Sequence, residues 1–128
     1  MKANDVYMTA LSFLSEKPQQ NDVKKFSLGW LNLLLAEVLP YENSVRSAGG
    51  QELLSCSPEI SDLQEEIPYC EEICKIVLPY GLAEFMFSDD GDLYNAERYR
   101  SRYVSALSEV QKYNFGDIED VYGGEIDG

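Results

Sequence analysis

Hydrophobic residues recur at helical spacing along the chain, and the first such stretch covers residues 4 to 16. Apolar positions three and four residues apart predict one buried helix face, formed by Val6, Ala10, Phe13 and Leu14. Lys17 and Pro18 then close this first predicted helix.

The second stretch begins at Asn21 or Asp22, either of which can cap a helix. Its apolar stripe consists of Val23, Phe26, Trp30, Leu33, Leu34 and Val38, widened by Leu28, Leu31 and Leu35. Because the stripe covers more than one side, we interpret this helix as a central helix or as one with a partner surface. Pro40 either ends it or introduces a kink, after which the helix continues to Arg46.

Residues 47 to 67 lack a regular period and predict a long irregular loop. The loop begins at Ala48-Gly49-Gly50, and serines and a proline near residue 57 supply turn chemistry. A loop of this length in a compact domain is usually functional or poorly ordered. Its remaining apolar residues favour a loop that packs on another surface; they are Leu53, Leu54, Ile60 and Leu63.

Pro68 suits the first turn of a third helix. The apolar face of this helix consists of Ile73, Ile76, Val77, Tyr80, Ala83 and Phe87. Pro79 removes a backbone donor and clashes with the carbonyl four residues earlier, which predicts a kink between Lys75 and Pro79. Gly81 has no side chain and permits the close approach of a neighbouring helix.

An acidic turn at residues 88 to 91 precedes a fourth helix, predicted from Leu93 to about Tyr113 and capped by Asp92. Its buried face consists of Ala96, Tyr99, Tyr103, Ala106, Leu107 and Val110. The basic residues Arg98 and Arg102 lie four apart on another face, and Arg100 points elsewhere. The segment from residue 92 to residue 113 carries a net charge of +1, so the rest of the chain carries −14. This helix is either a docking surface for another acidic copy or a solvated face with intrahelical pairs such as Glu97–Arg100.

Residues 114–128 hold five acidic residues, four glycines and no lysine or arginine. We expect two parts of the chain: a helical domain over residues 1–113 and an extended acidic tail over residues 114–128. The tail is either a frayed terminus or a segment that orders against a neighbouring molecule. The predicted fold class is therefore all-α, with four helices in a compact domain and a long irregular loop between helices 2 and 3.

The net charge of −13 in 128 residues disfavours ordinary nucleic-acid binding, because an acidic surface repels the phosphate backbone. Either the protein is simply acidic, or its surface faces DNA without adhering to it, or it mimics DNA. No apolar run approaches the roughly 20 residues that span a bilayer. The first residues lack the pattern of a signal peptide, so we expect no membrane association and a cytoplasmic site of synthesis.

The side-chain inventory does not favour an enzyme. The chain has no histidine, so the usual general base, the usual fourth ligand of a zinc site and the usual activator of a cysteine nucleophile are missing. Its three cysteines are expected to be inert thiols. The acidic turn fails the EF-hand spacing, and Gly49-Gly50 lacks the lysine of a phosphate-binding loop. We expect no catalytic residues, no cofactor and no bound metal.

The helix order, the Leu-Pro-Tyr-Gly-Leu-Ala stretch at residues 78 to 83, the acidic turn and the spacing of Ala96, Tyr99 and Tyr103 together resemble one known family. The chain resembles the head–tail connector proteins, also called adaptor or neck proteins, of tailed bacteriophages. The resemblance covers residues 68 to 110 by motif and most of the chain by helix order.

The resemblance implies a structural subunit of the virion neck, made in the host cytoplasm. Such subunits commonly form a ring of about twelve copies that joins the portal protein to a downstream neck or tail protein, and DNA passes through the lumen without specific binding. The residues expected to contact other subunits or partners are Leu53, Leu54, Ile60, Arg98, Arg100, Arg102, Phe115, Ile118, Val121 and Tyr122. The alternative interpretations are an acidic DNA mimic and a small helical regulatory binding protein.

Overall fold

The computed structural model describes residues 1–14 and 21–127, with side chains for residues 1–14 and 24–111. In these ranges the chain forms four α-helices: α1 (Ala3–Ser12), α2 (Asn21–Ala48), α3 (Leu78–Asp89) and α4 (Leu93–Asp127). A π-helical segment, Ile73–Val77, directly precedes α3. No strand forms in the described ranges beyond one isolated bridge between Lys2 and Glu66. The predicted all-α fold with a long loop between helices 2 and 3 is confirmed. The predicted end of the first helix at Lys17 and Pro18 lies outside the described residues.

Glycines end α2 and α3 by the same mechanism. Gly50 and Gly91 have φ angles of 71° and 79°, in the left-handed region that glycine adopts without steric cost. The residue after each glycine donates its N–H back into the helix: Gln51 to the Arg46 carbonyl at 2.7 Å and Asp92 to the Phe87 carbonyl at 2.9 Å. These bonds satisfy carbonyls that a helix end otherwise leaves unpaired. The predicted breaks at Gly50 and at the acidic turn are thereby confirmed.

Proline has a different consequence in each of two helices. Pro40 lies inside α2, which continues past it to Ala48, so the continued helix is the correct one of the two alternatives. Before Pro79, the chain adopts the π-helical segment, in which the Leu78 N–H reaches five residues back to the Ile73 carbonyl. A wider turn accommodates a residue that cannot donate and whose ring needs space. The irregularity predicted near Pro79 is therefore a π-helical turn.

Helix α3 lies at the centre of the fold and contacts α1, α2 and α4. It is buried on several sides, and its buried residues are Leu78, Pro79, Gly81, Leu82, Ala83, Met86 and Phe87. The central position that the sequence suggested for α2 thus belongs to α3. The six residues predicted for the buried face of α4 are all buried, at 9% exposure or less.

Gly81 permits the close contact that its sequence position predicted. A Cβ atom added to it would lie 2.6 Å from Cδ2 of Leu34 in α2 and 3.0 Å from two ring carbons of Tyr103 in α4. The Tyr103 hydroxyl donates to Oε1 of Glu37 at 2.6 Å and so joins α4 to α2. Burial and the Glu37 carboxylate both raise the pKa of Tyr103, which keeps the phenol protonated and donating.

Two of the predicted apolar stripes are only partly buried. In α2, Leu31, Leu34, Leu35 and Val38 are buried, but Leu33 is 61% exposed and Phe26 is 46% exposed. In the π-helical segment, Ile76 is 49% exposed, whereas Ile73, Cys74 and Val77 are buried. The α2 stripe therefore divides into a core face and a solvent face, which supports the alternative of a partner surface.

Helix α4 is longer than the sequence predicted. It runs for 35 residues to Asp127, so the predicted boundary between residues 113 and 114 falls inside a helix. Because no proline follows Leu93, the backbone can continue its own hydrogen-bond ladder through the acidic, glycine-containing segment. Across the described residues, no helix has the length and apolar character needed to cross a membrane.

Candidate interaction surfaces

The three arginines of α4 are exposed, and groups of the same chain hold each of them. Nη1 of Arg98 donates to the Asn95 side chain at 3.1 Å, and the guanidinium lies 5.8 Å from the centre of the Tyr94 ring. The Arg102 guanidinium lies 4.9 Å from the centre of the Tyr99 ring. Stacking on aromatic rings leaves the donors of a guanidinium pointing outward, where they can meet a carboxylate of another molecule.

Arg100 faces α3, in agreement with its predicted separation from the other two arginines. Its Nη1 lies 3.4 Å from Oε2 of Glu84, so the intrachain pair is Glu84–Arg100, and the predicted pairing with Glu97 was wrong. Burial raises the pKa of the Glu84 carboxyl, and Arg100 partly opposes that rise. Arg100 is thus less available to a second molecule than Arg98 and Arg102 are.

An open groove of about 660 Å³ continues the arginine face towards the middle of α4. Ile76, Tyr80, Ala106 and Val110 form its apolar part, and Arg102 lies at its edge. Two carboxylates, Glu72 and Glu109, also line it. The exposed positions Tyr94, Arg98 and Arg102 are spaced four residues apart and lead into the groove, so we call Tyr94–Val110 with Ile76 and Tyr80 the α4 surface.

The irregular loop and the first turn of the helix that follows it form a strongly acidic stretch. Residues 51–72 contain seven acidic side chains and no lysine or arginine. Glu52, Glu59, Asp62 and Glu66 are all exposed. This loop therefore presents a negative surface that repels other polyanions.

Side chains of α2 hold the loop in place. Asn32 donates to the Ile60 carbonyl at 2.9 Å and accepts from the Ile60 N–H at 2.8 Å. Asn43 makes the same two-way contact with Leu54, at 3.0 Å and 2.9 Å. Each amide side chain thus replaces the backbone partner that a neighbouring strand would supply.

A buried ion pair fixes the end of the loop. Glu42, 3% exposed at its side chain, accepts from Nε of Arg46 at 2.6 Å and from the Cys70 N–H at 2.7 Å. Arg46 also donates to the Glu52 carbonyl at 3.1 Å and to the Pro68 carbonyl at 2.7 Å. One arginine therefore connects α2 to both ends of the loop, and the Tyr69 hydroxyl adds a bond to the Leu35 carbonyl.

The loop residues predicted to contact partners occupy three different environments. Leu53 is 53% exposed and remains a candidate contact residue. Leu54 is half-buried against the core. Ile60 is 3% exposed and belongs to the core, so assigning it to a partner interface was wrong. The bonds from Asn32 turn its side chain inward, which no local pattern indicates. Phe115, Ile118, Val121 and Tyr122 lie in the part of α4 whose side chains the structure does not describe.

The cysteines are free and differ in exposure. Cys56 is exposed, Cys70 is half-buried and Cys74 is buried. Burial raises the pKa of the Cys74 thiol to about 12, so this thiol is not a nucleophile at neutral pH. Within the described ranges no three His, Cys, Asp or Glu side chains are grouped so that they can hold a metal ion.

Sequence reasoning missed the four residues of α2 that position the loop: Asn32, Glu42, Asn43 and Arg46. Asparagine is a weak helix former, so an asparagine at a half-buried helix position signals a side-chain contact with backbone outside the helix.

Comparison with protein-family models, with curated protein sequences and with solved structures finds no match to this chain.

Proposed function

We propose that this protein is a structural subunit of a tailed-phage virion neck. In this proposal, copies form a ring that joins the portal protein to the next neck or tail protein and lets DNA pass through the lumen. Its residues act by packing and by charge, and it carries out no bond-making step and needs no cofactor. The proposal starts from the resemblance of residues 68 to 110 to head–tail connector proteins.

The observation that carries the proposal is the pairing of α3 with α4. The Leu78–Ala83 stretch lies in the central helix, with Gly81 against Tyr103. Ala96, Tyr99 and Tyr103 are buried in the same contact. The motifs on which the resemblance rests therefore form one structural unit, as residues that define a fold do.

The charge distribution supports separate roles for two surfaces. Arg98 and Arg102 extend from a helix segment that is not acidic in a strongly acidic chain, so they can contact carboxylates of the next copy. A contact between two different faces, repeated by rotation, closes a ring. The acidic stretch at residues 51–72 supplies the negative surface past which DNA moves without binding.

The test is assembly on a portal ring from the same virus. The full chain is mixed with the portal, and the complex is measured by native mass spectrometry and imaged by electron microscopy. We expect a ring of copies seated on the portal, and we expect the chain in purified virions. An Arg98→Glu, Arg102→Glu variant should keep its helix content and lose assembly.

A Lys24→Glu, Lys75→Glu variant is the matched control, because it makes the same change in net charge at two exposed lysines outside the α4 surface. It should assemble like the parent protein. Equal assembly by both variants would refute the role of the arginines. A chain that stays monomeric beside its portal and instead inhibits a DNA-binding enzyme would replace the proposal with the DNA-mimic function.

A further inference from the structure

One line of exposed residues along α4 carries opposite charges at its two ends. The line consists of Arg98, Arg102, Ser105 and Glu109, all exposed. Their spacing of four, three and four residues keeps them on one side of the helix, as in the seam between two packed helices. The two arginines lie at the N-terminal end, and the carboxylate lies at the C-terminal end. We call these four residues the α4 seam.

The direction of α3 determines how the neighbouring groove is charged. Helix α3 runs antiparallel to α4, because Gly81 lies against Tyr103 whereas the later residue Glu84 pairs with the earlier residue Arg100. Glu72 belongs to the helical run that leads into α3 without a break. It therefore lies beside the C-terminal end of the α4 seam.

The groove thus has two different ends. Glu72 and Glu109, which both line it, lie together at one end, and Arg102 lies at the other. Its middle is apolar and includes Ile76, which is 49% exposed. A partner for this groove must present a positive charge at one end and a negative charge at the other.

The same surface of a second copy meets this requirement when it is turned through 180°. A two-fold axis perpendicular to α4 and passing near Ser105 places Arg102 of each copy at the end where Glu72 and Glu109 of the other copy lie. Such an axis brings together only residues on the same side of the seam. Arg102 and Glu109 satisfy this condition, because residues seven apart differ by only about 20° around a helix. A parallel pair would instead place Arg102 against Arg102.

The shapes of the two copies are compatible with this arrangement. Ser101, Ser105 and Ala106 are small and lie where the two α4 helices would cross, so the backbones can approach closely. The two-fold axis leaves both grooves on the same side of the helix pair. Ile76 of each copy then faces the groove of the other, which covers its exposed apolar surface.

We propose that a second copy of this chain covers the α4 groove in an antiparallel, two-fold symmetric α4–α4 dimer. Each dimer contains two contacts of Arg102 with the carboxylates of Glu72 and Glu109. A single helix seam buries less than the roughly 800 Å² per partner of a standard interface, so the dissociation constant lies in the micromolar range or above. The dimer does not require the proposed ring. Because both use Arg102, a copy must leave the dimer before it makes its ring contact.

Charge exchange within the seam tests the proposal by sedimentation velocity of the free full-length chain over a concentration series. About 0.15 M salt screens general repulsion between the acidic copies. Arg102→Glu and Glu109→Arg each replace two attractive contacts with two repulsive ones, so each should raise the dissociation constant about ten-fold. The double variant restores opposite charges across the axis and should return the constant to within about two-fold of the parent value.

Glu109→Arg separates a specific contact from a general charge effect. It changes the net charge from −13 to −11, so reduced repulsion alone would strengthen the dimer, whereas the proposal predicts weakening. The control for Arg102→Glu is Lys24→Glu, which makes the same charge change at an exposed position on α2 and should leave the constant nearly unchanged. Glu109→Arg should still assemble on the portal, because Arg98 and Arg102 are intact, so failure of the dimer and failure of the ring are distinguishable.

An apolar pair of variants tests the groove itself. Ile76→Ala should weaken the dimer several-fold, whereas Val104→Ala should not, because Val104 is similarly exposed, at 48%, but lies on the opposite side of α4 from Arg102. Four results would overturn the proposal: a monomer at every concentration up to about 1 mM, a tighter dimer for Glu109→Arg, a double charge variant as weak as the single ones, or equal effects of Ile76→Ala and Val104→Ala.

Discussion

The buried pair between Arg46 and Glu42 allows a quantitative test of how the loop is held. Replacing Arg46 with methionine keeps an unbranched apolar stem and removes the guanidinium. Glu42 then loses a partner at 2.6 Å while its side chain stays 3% exposed. The Glu52 and Pro68 carbonyls lose their donors at 3.1 Å and 2.7 Å.

The expected loss follows from these contacts. Removing one member of a buried ion pair costs about 3–5 kcal/mol, because the remaining charge stays desolvated. Arg46 is 20% exposed at its side chain, so water can partly replace it, and we expect the lower end, about 3 kcal/mol. At roughly 3–5 °C per kcal/mol for a chain of this size, the melting temperature should fall by about 10 °C.

Urea unfolding followed by the fluorescence of Trp30 gives the free energy directly, since Trp30 is the single tryptophan and stacks on Phe85. Arg100→Met is the matched control: it removes the longer, 3.4 Å contact of a guanidinium that is 58% exposed with Glu84, and should cost less than about 1 kcal/mol. Glu42→Gln added to Arg46→Met should recover part of the loss, because the amide oxygen still accepts from Cys70 and the unpaired charge is gone. A loss below about 0.5 kcal/mol for Arg46→Met would refute this reasoning. So would a double variant whose loss of unfolding free energy equals the sum of the losses of Arg46→Met and Glu42→Gln measured separately.

Gly81→Ala should destabilise the protein by roughly 1 kcal/mol, because overpacking against Leu34 and Tyr103 outweighs alanine's helix propensity. Gly29→Ala, in open space, should stabilise it by about 0.5–1 kcal/mol. If urea unfolding shows that both substitutions change the free energy of unfolding in the same direction, the close packing at Gly81 is contradicted. The raised pKa of Glu84 means that the native state holds its proton more tightly than the unfolded chain does, so this group's contribution to stability falls as the pH rises from about 4.5 through the native pKa. The stability of Glu84→Gln relative to the parent should therefore increase between pH 4.5 and pH 7.5, and a difference that does not change with pH would count against burial as the cause. Deleting residues 114–128 should leave a cooperatively folded domain, since the described buried residues of α4 extend to Val110, and loss of the urea transition would place the deleted segment in the core.

The sequence predicted those parts of the fold that depend on local pattern. The glycines at residues 50 and 91, the close approach at Gly81 and the buried face of α4 follow from the conformational freedom of glycine and from helical spacing. The side on which a broadly apolar helix is buried does not follow from spacing. Leu33 and Leu34 are adjacent leucines, yet one is 61% exposed and the other 4%.

The contacts that hold the loop depend on tertiary structure and were beyond the sequence pattern. Asn32 and Ile60 are 28 residues apart, and nothing local to Ile60 shows that an amide side chain will pair with its backbone. Arg100 illustrates the same limit for the α4 surface. Its spacing indicated a partner within the helix, and its partner Glu84 lies on α3.

The asparagine contacts also determine how the loop exchanges its amide protons with solvent. The N–H groups of Leu54 and Ile60 lie outside every helix, yet each donates to an asparagine of α2. Deuterium can enter these two positions only when that side chain withdraws, so their exchange should be slower than that of solvent-exposed N–H groups elsewhere in the loop. A stretch with no repeating backbone geometry would then show the protection normally associated with a strand.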